Sequence, residues 1–217
     1  MSSTAVNAMI RNIVFDIMGV LVTGNYHDAI AEKLHLTPKE VISLLRIMSS
    51  DLWHRCDLGE FYGINEVIDR FETTPRVREA LLGSYAVFNR ENGQMSGLMK
   101  ELGKDCKVYL LSNLSHKMKD DMSSYSFFDN CEGHIFSYEE KLCKPDPEIF
   151  SRLIQRYGLK PEETIFIDDS PANIRTARKL GFLAIRHICF PLTARRVRKI
   201  VGKQDNTVKK GNNSQHS

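Results

Sequence analysis

Four short segments of this chain carry residues that can do chemistry. Asp16 closes the apolar run Ile13-Val14-Phe15, and Ser112-Asn113 follows Leu110-Leu111. Lys144 stands in Lys144-Pro145-Asp146-Pro147, and Asp168-Asp169 ends the run Ile165-Phe166-Ile167. Adjacent carboxylates repel each other, so the Asp168-Asp169 pair needs a reason to exist. A hard divalent cation supplies one, because Mg²⁺ takes carboxylates together with waters and phosphate oxygens. The prolines around Lys144 fix it at a helix entrance. Taken singly, each segment has an ordinary structural explanation, since Asp or Ser-Asn after a strand commonly starts a turn. Their order along the chain, and the strand ends on which they fall, point to one site.

Those strand ends come from five short apolar runs with polar or turn-forming flanks, at residues 12–16, 107–112, 134–137, 164–168 and 183–187. Helical patterns alternate with them. Asp146-Pro147 and Ser170-Pro171 place a capping residue before a proline at the first helical position, and Thr37-Pro38-Lys39-Glu40 adds a capping box. Gly158 and Gly181 end helical stretches. The alternation predicts an α/β fold, a doubly wound, Rossmann-like and mostly parallel sheet. Ligands of such sheets bind beyond the carboxyl ends of the strands, where Asp16, Ser112 and the Asp168-Asp169 pair converge on one rim.

Residues 24–92 break the pattern. They contain helical stretches at 27–34, 38–49, 64–71 and 76–85, with Gly59 and Gly63 as punctuation, and no convincing strand. A helical cap lobe over 24–92, inserted into a core made of 1–23 and 93–202, is the expected organisation. Residues 203–217, rich in Gln, Asn, Lys, Gly and Ser, are expected to be a basic, disordered tail.

With 217 residues, 42% hydrophobic and 26% charged, the chain can bury a real core. No run approaches the length of a membrane span, and residues 1–12 lack the charged and apolar regions of a secretory signal. Five cysteines without a Cys-x-x-Cys pair fit reduced thiols in the cytoplasm. The net charge of +3 is uneven: from Leu192 onward seven basic residues face one acid, so that segment carries +6 and the remainder −3. The basic stretch has no interleaved aromatics, which argues against a nucleic-acid surface.

In order and spacing, the four segments resemble the motifs of the haloacid dehalogenase-like hydrolases, most of which are Mg²⁺-dependent phosphatases. The resemblance spans roughly residues 10–190, among members with a helical cap between the first two motifs. The stretch Trp53-His54-Arg55-Cys56-Asp57-Leu58-Gly59-Glu60 is similar to the cap segment of small sugar-phosphate phosphatases and epoxide-hydrolase-like members. The resemblance implies that Asp16 attacks phosphorus and forms an aspartyl-phosphate. It makes Ser112, with backbone near Asn113, a binder of the phosphoryl group and Lys144 the charge that lets two anions approach. It implies Mg²⁺ held by Asp16, the backbone carbonyl of Met18 and Asp169, supported by Asp168, with Asn173 steadying the loop. A small phosphorylated metabolite is the implied ligand, and Trp53, His54 and Arg55 of the cap either face it or serve as a buried aromatic and surface charges, the more ordinary role for each.

One departure stands out. These phosphatases read Asp-x-Asp at the first motif, and this chain reads Asp16-Ile17-Met18. The second aspartate protonates the leaving alcohol and then activates water, an effect of about 10²–10⁴-fold, and methionine cannot transfer a proton. Three readings follow. Another group, among His27, His54, Asp57 and His116, supplies the proton; or turnover is lost and the chain binds phosphate ligands or a protein partner; or a different reaction runs on the same fold. Dehalogenating relatives need no metal, so the acidic pair speaks against that chemistry. Carbon–phosphorus cleavage would need a reactive cap lysine, and Lys33 and Lys39 read as solvated.

Overall fold

Strands that are apolar throughout must be covered on both faces. In the computed structural model, which describes residues 9–23, 31–83 and 90–212 with side chains as far as 202, they are. In chain order come β1 (Asn12–Phe15), β2 (Val22–Thr23), α1 (Pro38–Met48), α2 (Asp51–Asp57), α3 (Pro75–Leu82), β3 (Arg90–Glu91) and α4 (Gly93–Leu102). They are followed by β4 (Lys107–Ser112), α5 (His116–Asp121), β5 (Gly133–Phe136), α6 (Ser137–Glu140), α7 (Pro147–Tyr157), β6 (Thr164–Asp168), α8 (Pro171–Lys179), β7 (Leu183–Arg186) and α9 (Phe190–Asn212).

Five strands form a parallel sheet in the order β5-β4-β1-β6-β7. Side chains alternate between its faces with the period of two that strands impose. Val14, Tyr109, Leu111, Ile135, Phe166 and Ala184 point to one side, against Ile149, Phe150 and Leu153 of α7 and Ile174 and Ala177 of α8. Ile13, Phe15, Val108, Leu110, Ile165 and Ile167 point to the other, against α4 and α9. The inserted helices share this second cluster through Leu44, Cys56, Ile68, Val77 and Leu81, so the lobe and the sheet bury one continuous apolar body.

The lobe leaves and rejoins the sheet through a two-stranded antiparallel ribbon, with Val22 opposite Glu91 and Thr23 opposite Arg90. Asn92 closes the return: its backbone N–H donates to Leu21 O at 2.8 Å and its side-chain amide to Val20 O at 3.1 Å. Within the lobe Glu40 joins two helix starts. It completes the expected capping box with Thr37, whose N–H donates to Glu40 Oε2 at 2.9 Å, while Thr74, the N-cap of α3, donates to Oε1 at 2.8 Å. These hydrogen bonds, that from the Thr37 backbone first, hold the Glu40 carboxyl down at about 2.

Several expectations need adjusting. The strands fall where the apolar runs placed them, β1 and β7 ending one residue earlier and β5 displaced by one residue at both ends. The stretch expected as one helix over 64–71 is two short 3₁₀ turns, Ile64–Glu66 and Ile68–Arg70, because Val67 between them adopts φ −124° and ψ 0°. Ile64, Val67 and Ile68 are buried in either geometry, so their spacing could not distinguish the two. Helix α2 was not among the expected helices; Ser50 caps it by accepting the Trp53 N–H at 3.2 Å. The pair Arg90–Glu91 is a strand where none was expected, since two residues are too few to show a period. Ser170 makes no side-chain cap; Asp168 takes its N–H instead, at 2.8 Å. The α9 backbone stays helical to Asn212, through residues expected to be disordered. Residues 27–30 and 84–85 of two expected helices lie outside the described residues. Among the described residues no helix is long and apolar enough to cross a membrane.

Thr37→Ala should cost about 1 kcal/mol of unfolding free energy, the usual worth of an N-cap. Glu40 adds a pH signature. Its carboxyl titrates lower in the folded chain, so its contribution is complete above the ordinary value of 4.5 and is lost as pH falls through about 2. Denaturant titrations across that window should show wild type losing more stability than Glu40→Gln. Parallel losses would remove Glu40 from the account.

Candidate active site

The three central strands of the sheet end side by side, and each delivers one functional side chain. Asp16 follows β1, its N–H continuing the ladder to Ile167 O at 2.9 Å. Ser112 is the last residue of β4 and Asp168 the last of β6. All three are buried, with 6% of Asp16 and none of the other two exposed.

Lys144 joins them from the loop before α7. Its ammonium donates to Asp168 Oδ2 at 2.7 Å and to Leu111 O at 2.8 Å, and lies 2.9 Å from Asp16 Oδ1. All three donors of the –NH₃⁺ therefore have partners, which a buried ammonium requires. Burial alone would lower the lysine's pKa; the charges of Asp16 and Asp168 outweigh it and raise the value. The loop is aimed by a reciprocal pair: the Lys144 N–H donates to Asn113 Oδ1 at 2.8 Å, and Asn113 Nδ2 donates to Lys144 O at 2.9 Å. The Lys144–Pro145 peptide is cis.

Asp16 is held asymmetrically. Ser112 Oγ donates to its Oδ1 at 2.7 Å and the Ile17 N–H to the same atom at 2.7 Å, joining Lys144 there. Among the described residues nothing hydrogen-bonds Oδ2. Burial pushes the Asp16 carboxyl up to about 7, with Lys144 pulling against it and Asp168 adding to it.

The two carboxylates of the acidic pair are held differently. Asp168 is fully engaged, taking Lys144, the Ser170 N–H and Asn173 Nδ2, the last at 3.1 and 3.0 Å from its two oxygens. Among the described residues no other side chain donates to Asp169, and burial and the charge of Asp168 push its carboxyl above the ordinary range. It lies against Gly19, whose φ of +74° belongs to the left-handed region; a Cβ there would stand 2.5 Å from Asp169 Oδ2. Asp16, Asp168 and Asp169 each offer a carboxylate oxygen within 4.8 Å of the others. An all-oxygen set with one buried ammonium among three carboxylates suits a hard divalent cation.

Other expected residues scatter. Met18 is half-buried and packs against the main apolar cluster. His27 lies outside the described residues. His54 is exposed, and His116 is enclosed between Tyr62 and Tyr138 with ring centroids 6.2 and 4.2 Å away. Arg55 is engaged within the lobe, its Nε 2.7 Å from Glu60 Oε2 and its guanidinium over Phe61. Lys33 and Lys39 are exposed. Two contributors were not legible in advance. Besides the clamp by the Asn113 side chain, Ser137, the residue after β5, donates to Leu114 O at 3.2 Å and accepts the Leu114 N–H at 2.9 Å, fixing the loop after Ser112. A serine closing a strand was its only sequence signal.

Residues 10–181 match the family of haloacid dehalogenase-like hydrolases. The chain belongs to this family. Over 188 residues it is 29% identical to the D-ribitol-5-phosphate phosphatase of Bacteroides thetaiotaomicron, an alignment covering 80% of this chain and 90% of the relative. A HAD-like hydrolase structure from Porphyromonas gingivalis superposes with a TM-score of 0.63 at 27% identity, covering 88% of this chain and 99% of that one. A HAD enzyme of Bacteroides thetaiotaomicron, solved with magnesium and inorganic phosphate, superposes with a TM-score of 0.62 at 23% identity, covering 82% and 94%. The last likeness concerns the fold.

In this hydrolase the close approach at Gly19 gives a direct handle on the acidic site. Gly19→Ala should strain the turn by about 1–3 kcal/mol and displace Asp169. Calorimetric titration with Mg²⁺ should then show affinity roughly 10–100-fold weaker, the usual consequence of disturbing a residue that positions a ligand. Unaltered Mg²⁺ affinity in the folded variant would argue against Asp169 as a ligand.

Proposed function

We propose that this protein is a Mg²⁺-dependent phosphomonoesterase for a small phosphorylated metabolite, working through an aspartyl-phosphate on Asp16. The observation that carries the reading is the asymmetry of Asp16. Three donors converge on Oδ1 and fix the carboxylate plane, leaving Oδ2 as the atom that can approach phosphorus. Family membership and the D-ribitol-5-phosphate phosphatase relative support the same chemistry.

In this reading Asp16 Oδ2 attacks phosphorus and the ester oxygen leaves. Lys144, held between Asp16 and Asp168, offsets the charge of two approaching anions. Ser112 turns its proton from Asp16 to a phosphoryl oxygen, and backbone N–H groups after Asp16 and near Asn113 hold the others. Asp16, Asp169 and the Met18 carbonyl would hold Mg²⁺, while Asp168 keeps Lys144 and the loop in place. The ion, when bound, neutralises phosphoryl oxygens and orients them. The helical lobe over residues 24–92 selects the substrate, and the reduced thiols suit the cytoplasm.

A second reading has one observation in its favour. The side chain at position 18 packs half-buried on the apolar core and carries no proton, so the site would bind phosphate ligands, or a protein partner, with turnover slowed or lost.

Acid-quench trapping with labelled acetyl phosphate and Mg²⁺, with Asp16→Asn as control, separates the two. Label on Asp16 with steady release of phosphate is the expected result, and Asp16→Asn should abolish both. Label that accumulates without release would favour the binding reading. No label from folded, Mg²⁺-bound protein would exclude Asp16 as a nucleophile.

A further inference from the structure

The edge of the sheet beyond β6 carries a charge pattern that the phosphoryl site does not use. From Ser170 to Gln204, through α8, β7 and the first part of α9, there are nine lysines and arginines and no aspartate or glutamate. Strand β7 is the outermost on this side, and α8 and α9 both pack on it. The sequence bias therefore becomes one cationic edge of the molecule.

Few counter-charges reach this edge. Arg198 pairs with Glu101 of α4, Arg186 Nε donates to Asp169 O at 3.1 Å, and Arg178 donates to Ala184 O at 3.2 Å. Arg195, Arg196 and Lys199 are exposed and have no ion pair among the described residues. With Leu192 they stand at i, i+3, i+4 and i+7, the spacing that gathers residues on one face of a helix. Thr193, Ala194 and Val197 are turned the other way and buried.

Aliphatic side chains stand beside these cations. Of the seven exposed large apolar residues among those described, three fall between Leu183 and Leu192: Leu183 is 40% exposed, Ile188 68% and Leu192 50%. Ile188 lies on a braced loop. The His187 N–H donates to Asp168 O at 2.8 Å, His187 Nδ1 lies 2.9 Å from Thr193 Oγ1, and the Thr193 N–H donates to Cys189 O at 3.2 Å. The loop is thus tied across its base and hung from the residue that ends β6, with Ile188 and Leu192 as its outward tips. Single exposed aliphatic residues are ordinary; a cluster of them beside unpaired cations calls for a partner that takes both. Nucleic acid would satisfy the cations and leave the aliphatic tips in water, and the segment holds no exposed aromatic ring on which a base could stack. A bilayer with acidic headgroups accommodates the cations at the headgroups and the tips beneath them.

We propose that this edge docks the protein on a membrane surface carrying acidic phospholipids, with Ile188 and Leu192 entering the interface and Arg195, Arg196 and Lys199 against the headgroups. Docking of this kind lays a folded domain on the bilayer and needs no spanning helix. Because the loop hangs from Asp168, docking sets the rim of the candidate active site beside the bilayer. The surface is separate from Asp16, and the inference stands or falls independently of the phosphatase reading.

The test is co-sedimentation of the full chain with phosphatidylcholine vesicles, prepared with and without phosphatidylserine. Binding is expected only with phosphatidylserine and should weaken as salt is raised. Replacing Arg195, Arg196 and Lys199 together by Gln should weaken it on the order of 100-fold, at about fivefold per cation. Ile188→Ser and Leu192→Ser should each cost about tenfold. All five side chains lie on the surface, and circular dichroism should show these variants folded like wild type. Lys104→Gln combined with Lys107→Gln, which removes charge at the opposite end of the strands, should leave binding unchanged. Wild type that ignores phosphatidylserine vesicles at low salt, or binds both kinds equally, would overturn the proposal. An equal loss in the Lys104 and Lys107 variant would do the same, by making the effect one of net charge. If only the cation variant loses binding, with Ile188→Ser and Leu192→Ser behaving as wild type, the edge belongs to a polyanion or an acidic protein surface and the lipid assignment is wrong.

Discussion

The site is organised around one ammonium group removed from water. Lys144 Nζ lies between Asp16 and Asp168, which belong to adjacent strand ends, and takes its third partner from Leu111 of the strand on the other side. Desolvating an ammonium and two carboxylates is costly, and mutual attraction offsets that cost only when every donor is satisfied and the geometry is close. The arrangement therefore demands that β4, β1 and β6 keep their register and that the Lys144 loop keep its place. The reciprocal bonds with Asn113 and those of Asn173 to Asp168 meet these demands. The rest of the core can be seen as the apparatus that keeps these few atoms dry and in line.

Much of this was legible in the sequence. Fully apolar runs ending in Asp16, Ser112 and Asp168 identified strands buried on both faces, and their polar last residues marked the functional edge. The capping box at Thr37 and Glu40 was readable because it depends on residues three apart. What was not legible depends on contacts between distant segments. The side chain of Asn113 holds the Lys144 backbone, a contact across 31 residues that its place after Ser112 does not announce. For Arg55 the sequence leaves ligand contact and surface charge both open, and a neighbouring glutamate and Phe61 take it. The two turns over residues 64–71 show a related limit: burial spacing alone does not separate an α-helix from a pair of 3₁₀ turns.

Asp168 and Asp169 show how neighbouring residues of identical type acquire different roles. The first ends its strand pointing into the sheet's interior, where three donors meet it. The second lies just beyond the strand, against a glycine that has no side chain to exclude it. The difference follows from where β6 ends and from the conformation of Gly19, neither of which is visible in the composition of the motif.

The ribbon formed by β2 and β3 has a further consequence. The chain departs at Thr23 and returns at Arg90, and these two residues face each other. The described helices between them therefore belong to an insert whose two ends are tied together, beginning only a few residues from Asp16. Such an insert can be lengthened, shortened or exchanged during evolution without a change in strand order or in the spacing of Asp16, Ser112, Lys144 and Asp168. The insert and the strand ends can then diversify separately.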